Sequence, residues 1–252
     1  MKLVPFLAAA FLPLLAQAAS PAKPKPNPKL DPQALASLKR MSDTLAGAKA
    51  FTVRTKTILE VPAITGQFLT FFSTGRLAVE RPNKIRASLG GDAPHFEFVY
   101  DGSTVSAYAP QAGVYSTKKA PPTIDAMLAG LRNETGIRFA TAPLLVSDPY
   151  AVLTRGLTSA VVVGPSLVEG RLCEHLAFRA PGANWEIWLQ PDSQALPRRV
   201  AVTFTDRPGL PRTIIEFSHW NLHPWFLGSF AFQPPAGAKE IPFTSVLKSS
   251  AR

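Results

Sequence analysis

Apolar residues along this chain follow two periods in turn. Behind Asp31, which suits a helix N-cap, and Pro32, whose fixed φ suits the first helical position, Leu35, Leu38, Met41, Leu45 and Ala46 recur at helical spacing until Gly47. From Phe51 the period is two. FTVRTKTILEV puts Phe51, Val53, Leu59 and Val61 on one face and Thr52, Arg54, Lys56 and Glu60 on the other. QFLTFFSTGRLAVE, KIRASLG and HFEFVYDG continue as strands. Asp101-Gly102 turns the chain back into STVSAYAP, and Gln111 to Gly113 turn it again into VYSTKKA. This is an antiparallel meander.

Pro121-Pro122 closes the meander and helical spacing returns. Thr123 caps TIDAMLAGLRN, with Ile124, Met127, Leu128 and Leu131 on one stripe. DPYAVLTRGL predicts a third, short helix, with Asp148 as its cap and Pro149 in first position. SAVVVG, SLVEGRLCEHLAFRA, NWEIWLQP, LPRRVAVTFTD, RTIIEFSHWNLH and FAFQP then read as strands. The expectation is one domain over 31–243, mainly β with a few helices (α+β), of about ten to eleven strands and three helices, followed by a loose tail over 244–252. A sheet of that many strands twists and curls. One of its faces can meet water, and the other needs cover. Helices laid in the mouth of a curled sheet supply that cover and leave apolar space between the two layers.

Alternation through Leu69, Phe71, Leu77 and Val79 arrives at Arg81, so a permanent cation follows the inward-facing apolar residues. A guanidinium placed inward must find acceptors, because an unpaired buried charge is very costly. Carbonyls at a helix C-terminus are one solution, lying at the negative end of the helix dipole. An ion pair at the rim with Glu80 or Asp101 is another. A bulge between Leu77 and Arg81 would reverse the parity. The same inward parity nominates Val53, Leu59, Leu69, Phe71, Leu77, Val79, Phe98, Tyr100, Trp185 and Ile187 as lining of an apolar ligand cavity, or as ordinary core. Met127 and Leu128 join them from the helical stripe, since flexible apolar side chains repack readily. Phe68 and Phe72 take the opposite face, which is expected to be covered or to bind a partner.

The ends of the chain and its charge add a location. Residues 1–19 carry Lys2, an apolar run from Leu3 to Ala16 and small residues at Ala16, Ala18 and Ala19, the order of a secretory signal cleaved after Ala18 or Ala19. The run is too short and too interrupted by Pro5 and Pro13 to span a membrane comfortably. No cysteine follows it, so no lipid anchor is expected. SPAKPKPNPKL, residues 20–30, reads as an extended Pro/Lys linker. Export implies an oxidising compartment, yet Cys173 is the sole cysteine and an internal disulfide is impossible. The thiol is expected as a small buried apolar group. The net charge of +10 suits anionic envelope surfaces, and nucleic acid is not an expected partner.

GRLAVERPNKIR, YDGSTVSAYAP and FAFQPPAGA resemble the periplasmic lipoprotein carrier family LolA, with its glycine-led strand ending in Arg-Pro-Asn, its Asp-Gly-x-Thr hairpin and its closing Phe-x-Pro-Pro-x-Gly. Over residues 31 to 243, VYDGSTVSAYAP, APPTIDAMLAGL, SDPY, LCEHLAFR, NWEIWLQPDSQALPRRV and FQPPAGAKEI together resemble a family of predicted periplasmic proteins with no assigned activity. The LolA resemblance implies a LolA/LolB-like unclosed antiparallel β-barrel with a helical lid over a cavity that holds acyl chains. It implies that Arg81 is the latch that reaches from the barrel wall to the lid and holds the empty, closed state. The region from Ala120 to Tyr150 does not match the LolA lid, so the lid partner of Arg81 does not transfer. The implied protein is a soluble, monomeric periplasmic carrier of lipid or lipoprotein acyl chains, exchanging with membrane donor and acceptor proteins in outer membrane biogenesis. The alternative is an envelope sensor or adaptor that binds a protein partner through the same fold.

Catalytic signatures are missing from the sequence: it holds no HExxH, GxSxG, P-loop or CxxC. His219 and His223, four apart on a strand, stand roughly 13 Å apart, too far for one metal. Alternation sends Cys173 and His175 to one face and Glu174 to the other, which breaks a nucleophile–base–orienter relay. Asp92, Glu97 and Asp101 offer no carboxylate pair that spacing supports. No catalytic residue, metal or cofactor is expected.

Overall fold

A computed structural model describes residues 30–92, 95–136, 139–225 and 228–243. The signal peptide, nearly all of the linker and the tail read from the sequence lie outside the described residues. Leu30, counted with the linker, is instead paired with Ala160 in a parallel bridge, and Asp31 N–H donates to the Ala160 carbonyl.

Among the described residues, four α-helices and twelve strands follow in the order α1 (Pro32–Gly47), β1 (Ala50–Pro62), β2 (Phe68–Glu80), β3 (Lys84–Gly91), β4 (Phe96–Tyr100), β5 (Thr104–Ala109), β6 (Val114–Lys119), α2 (Ile124–Thr135), α3 (Ala142–Leu145), α4 (Pro149–Thr154), β7 (Ser159–Val168), β8 (Arg171–Ala180), β9 (Ala183–Leu189), β10 (Pro197–Phe204), β11 (Arg212–Asn221) and β12 (Lys239–Glu240), with a 3-10 turn at Pro110–Ala112 between β5 and β6. The strands form one unclosed sheet in the order β12-β6-β5-β4-β3-β2-β1-β11-β10-β9-β8-β7. All neighbours are antiparallel except β12, which lies parallel to β6. The two meanders therefore meet where β1 pairs with β11.

The predicted caps are present: Asp31 accepts from Gln33 N–H, Thr123 from Ala126 N–H and Asp148 from Ala151 N–H. Other expectations need correction. Twelve strands replace ten or eleven, and α3 is a fourth helix. FAFQP is not a strand. Phe230 is buried, and Phe232 lies against Tyr108 and Tyr115 with ring centres 6.1 and 5.8 Å away. Alternate aromatics thus press onto the sheet's outer face without joining its ladder. Residues 228 to 238 form a strap over that face that leads to β12 beside β6, and Arg86 of β3 donates to the Ser229 carbonyl within it. SAVVVG and the start of SLVEGRLCEHLAFRA are one strand, β7, whose pairing with β8 slips between Val162 and Gly164. The turn is made by Glu169 and Gly170, both at positive φ.

The helices cover the inner face and divide the core into two lobes. In one, Ala34, Leu38, Met41 and Leu45 of α1 pack with Val53, Leu176, Phe178, Trp185, Ile187, Val200, Ile215 and Phe217. In the other, Ile124, Met127 and Leu131 of α2 pack with Phe51, Val79, Ile85, Phe98, Tyr100, Val105 and Ala107. Leu77, Trp220 and Leu222 border both lobes. Trp220 reaches the inside because the β1–β11 register slips between Thr52 and Arg54, leaving His219 at φ 55. The bulge shifts the facing of the next residue, and Trp220 then stacks near Phe51 and Phe217 and donates to the Pro197 carbonyl at 2.9 Å.

On the outer face the tip of the β7–β8 hairpin makes a small third cluster, where Val168 and Cys173 pack with Trp188 and Ala201. Glu169 at the tip meets Lys56 of β1 at 2.8 Å and Arg198 of β10 at 3.5 Å. Cys173 is buried there, and burial raises its thiol pKa, which Arg198 and Arg199 partly oppose. The Cys173 thiol is therefore expected to react with a disulfide reagent orders of magnitude more slowly in native than in unfolded protein. Glu169→Lys, which turns both ion pairs into repulsions, is expected to speed labelling of the still-folded protein. Equal labelling rates for native and unfolded wild type would contradict this packing.

Candidate functional site

β2 keeps one register with β1 from Phe68 to Glu80, without a bulge, so the parity that carries Leu77 and Val79 inward is not reversed before Arg81. Arg81 follows the end of the strand, with its own N–H bonded to the Lys49 carbonyl, and its bond to Pro82 is cis. Its guanidinium does not pair with Glu80 or Asp101. Glu80 holds Lys84 at 2.6 Å, and Asp101 is engaged by its own turn. Nη1 of Arg81 instead donates to the Leu145 carbonyl at 2.7 Å, and Nε donates to the Leu45 carbonyl at 3.3 Å. Leu45 lies in the last turn of α1 and Leu145 is the last residue of α3. Orphan carbonyls at a helix end need donors, and a cation there also faces the negative end of the dipole.

The fastening extends to α2. The Pro82 carbonyl accepts from Ile124 N–H at 3.0 Å, at the first residue of that helix. Asp125 beside it accepts from the Ser147 backbone N–H and hydroxyl, tying α2 to the segment after α3. The Arg81-Pro82 dipeptide thus touches three helices. Burial lowers the guanidinium pKa and Asp125 opposes that shift. Nη2 of Arg81 is buried without a hydrogen-bond partner among the described residues. The guanidinium is therefore incompletely satisfied, at a cost of about 1–3 kcal/mol for such a group.

α3 is the part that sequence reasoning missed. Leu144 packs in the first lobe, and Leu145 packs in the second while its carbonyl receives Arg81. One four-residue helix plugs both halves of the core. Four residues show no periodicity, so the only sequence signal was Pro143 after Thr141, in the position that opens a helix.

The nominated lining residues are not brought together around one cavity. Val53, Trp185 and Ile187 belong to the first lobe. Val79, Phe98, Tyr100 and Met127 belong to the second, with Leu128 packed against it. Leu77 lies between the two. α1, α2 and α3 fill the space expected for a ligand. Leu59 and Leu69 are a correction: they stand beyond the helical cover, 37% and 39% exposed, with Phe71 half-buried between them. Leu59 faces Phe71 and Val61 faces Leu69 across β1 and β2. The far end of the inner face is therefore an open apolar ledge continuous in parity with the core. Phe68 and Phe72, expected to be covered or to bind a partner, are each 56% exposed on the other face.

Cys173, Glu174 and His175 diverge as alternation predicts. Cys173 Sγ contacts the Arg171 carbonyl, Glu174 pairs with Arg40 of α1, and His175 bonds Glu186 at 2.9 Å while stacking on Trp188. Two clefts open along the strap on the outer side. One, of about 1020 Å³, borders Arg81, Lys84 and Trp225. The other, of about 650 Å³, lies over Arg54, Arg76 and His219.

Compared with known families, the chain matches the model of the family described as predicted periplasmic protein, DUF2092, over residues 34–244, and it belongs to that family. No curated protein matches its sequence. Among solved structures, lipoprotein LppX of Mycobacterium tuberculosis is similar with a TM-score of 0.51 and 15% identity, over 79% of this chain and 100% of the other. That likeness confirms the unclosed half-barrel fold. LprF of Mycobacterium bovis follows at 0.42 and 12%, covering 80% of this chain and 99% of the other. The Pseudomonas aeruginosa MucA/MucB complex follows at 0.38 and 20%, covering 75% and 56%. These last two scores carry no further argument.

The turn beside the Arg81-Pro82-Asn83 segment gives a pH test. Burial raises the Asp101 carboxyl pKa, but hydrogen bonds from Thr104 and Ser103 outweigh it and bring the group down to about 2. A depressed carboxylate pKa adds stability above the unfolded value near 3.8, lost as pH falls toward 2. Gly102 holds the turn at φ 98, where a Cβ would collide with the Asn83 amide of the Arg-Pro-Asn segment. Asp101→Asn is expected to lower the melting temperature at pH 7, with the gap from wild type closing between pH 4 and pH 2. A gap that stays constant over that range would contradict the assignment.

Proposed function

We propose that the protein binds an acyl-bearing amphiphile, a lipid or the acylated end of a lipoprotein, in the periplasm, and that it is a carrier with no catalytic role. Arg81 carries this reading. It is a half-buried, incompletely satisfied cation that fastens the ends of α1 and α3 to the sheet across an apolar interface. The helical layer is then a lid, and its apolar residues occupy the space a chain would take.

Magnitudes favour such a device. Burying an acyl chain yields about 0.8 kcal/mol per methylene, so a sixteen-carbon chain gains roughly 13 kcal/mol, enough to make release slow. Two hydrogen bonds to a charged donor, at about 1.5–3 kcal/mol each, offset part of that when the lid must open. The ledge of Leu59, Leu69 and Phe71 offers the first apolar contact, and Met127 and Leu128 are the flexible side chains that yield. A second reading, an adaptor that binds a protein, draws on the exposed Phe68 and Phe72 of the outer face.

Native mass spectrometry with lipid extraction, on mature protein purified without detergent from an exporting host, tests the proposal. Arg81→Leu is expected to retain more acyl ligand than wild type. Arg81→Lys keeps the charge but loses the fork that reaches two carbonyls, and it is expected to fall between them. Folded protein that stays free of lipid in all three forms would overturn the carrier and leave the adaptor, with Phe68→Ser/Phe72→Ser as the next variant.

A further inference from the structure

Arg54 of β1 and Arg76 of β2 are directly opposed across the two strands. Both side chains are exposed on the outer face, the side away from the helices. Cβ atoms in such a pair stand about 4.5–5.5 Å apart, and like charges in this register repel. Neither arginine has an ion-pair or hydrogen-bond partner among the described residues. A sheet ordinarily relieves such a pair with acidic neighbours in the same row. Here the row reads Ser218 of β11, Arg54, Arg76 and Ser88 of β3. Glu97 comes only one strand further, and it already meets Arg86 at 3.7 Å and His95 at 4.0 Å. Two guanidiniums are thus flanked by two hydroxyls, and the carboxylate that would neutralise them is engaged elsewhere.

The row is set in a cleft. Arg54, Arg76, Ser88 and Arg86 border it, with Thr52 and Ala78, beside His219 and Asn221 of β11 and Gly228 of the strap. Its volume is about 650 Å³, and among the described residues that line it Glu97 is the one carboxylate against three arginines and two histidines. The β-bulge that turns Trp220 inward is what leaves His219 facing this side.

We propose that this cleft is a binding site for a phosphate-type oxyanion, held between the Arg54 and Arg76 guanidiniums. Each guanidinium presents a planar fork of N–H donors that matches an oxyanion edge. A dianionic phosphoryl group has three terminal oxygens, so it engages both forks at once, and its charge cancels the repulsion between them. A carboxylate, with two oxygens, fills only one fork. Ser88, beside Arg76, supplies a neutral donor to an oxygen left over. The site lies on the opposite side of the sheet from the apolar ledge, so it stands independently of the acyl-binding reading. The oxyanion comes either from a free phosphate or from the headgroup of an anionic lipid.

Thermal melts and vesicle cosedimentation decide between these sources and test the site. Wild type, Arg54→Gln/Arg76→Gln and a control of equal charge change, Lys119→Gln/Arg155→Gln, are melted with and without inorganic phosphate against chloride at matched ionic strength. Lys119 and Arg155 are exposed and lie outside the cleft. Without phosphate, the cleft variant is expected to melt above wild type, because a repulsion has been removed. With phosphate, wild type and control rise and the cleft variant does not, its affinity being roughly tenfold or more weaker. If phosphate gives no shift but phosphatidylglycerol vesicles, and not phosphatidylcholine vesicles, bind wild type and control and lose the cleft variant, the oxyanion is a membrane headgroup. The proposal is overturned if the cleft variant responds as wild type does in both arms, if no form responds in either, or if the control loses binding equally.

Discussion

A guanidinium carried on the inward side of a sheet must be met by acceptors, and the groups that meet Arg81 are the carbonyls at two helix ends. Much else in the fold is arranged around that requirement. α1 and α3 bring their C-termini to one point, α2 begins on the Pro82 carbonyl, and Asp125 supplies the nearby negative charge. A helix layer held only by apolar packing would slide at modest cost. One held by directed donors has a defined position on the sheet.

The helices fill the inner face of the sheet. Leu144 and Leu145 serve different lobes of the core from adjacent positions on α3, so displacing this one short helix disturbs both. That couples the two halves of the inner face in a way the two separate meanders do not. The outer face has its own architecture. The hairpin tip at Glu169 covers one side, the strap covers the other, and the Arg54–Arg76 row lies open between them.

The elements were legible in the sequence wherever a repeating pattern was long enough to have a period. Asp31, Thr123 and Asp148 marked their helices, and alternation gave the facing of β1, β2 and β9, including the inward direction of Arg81. Short or bent pieces were not legible. APLL has too few residues to show a helical stripe. FAFQP alternates like a strand because its aromatics press onto a face, which parity does not distinguish from pairing at an edge. The break at Gly164 is a slip within β7, and the chain reverses only at Glu169. The candidate lining residues show a further limit. Alternation tells which face Met127 or Trp185 meets, but whether that face is packed or hollow depends on how helices from distant segments fit over it. The resemblance to LolA singled out Arg81 and could not predict α3, because the sequences part there.

The most direct test of the account is amide hydrogen exchange in wild type and Arg81→Leu, resolved by segment. Release of the latch predicts faster exchange in the last turn of α1, in α3 and at the start of α2, with β1, β2 and β9 unchanged. Exchange that rises equally throughout the sheet and the helices, or in neither, would show that Arg81 stabilises the fold as a whole or not at all, and would contradict its role as the fastening of a lid.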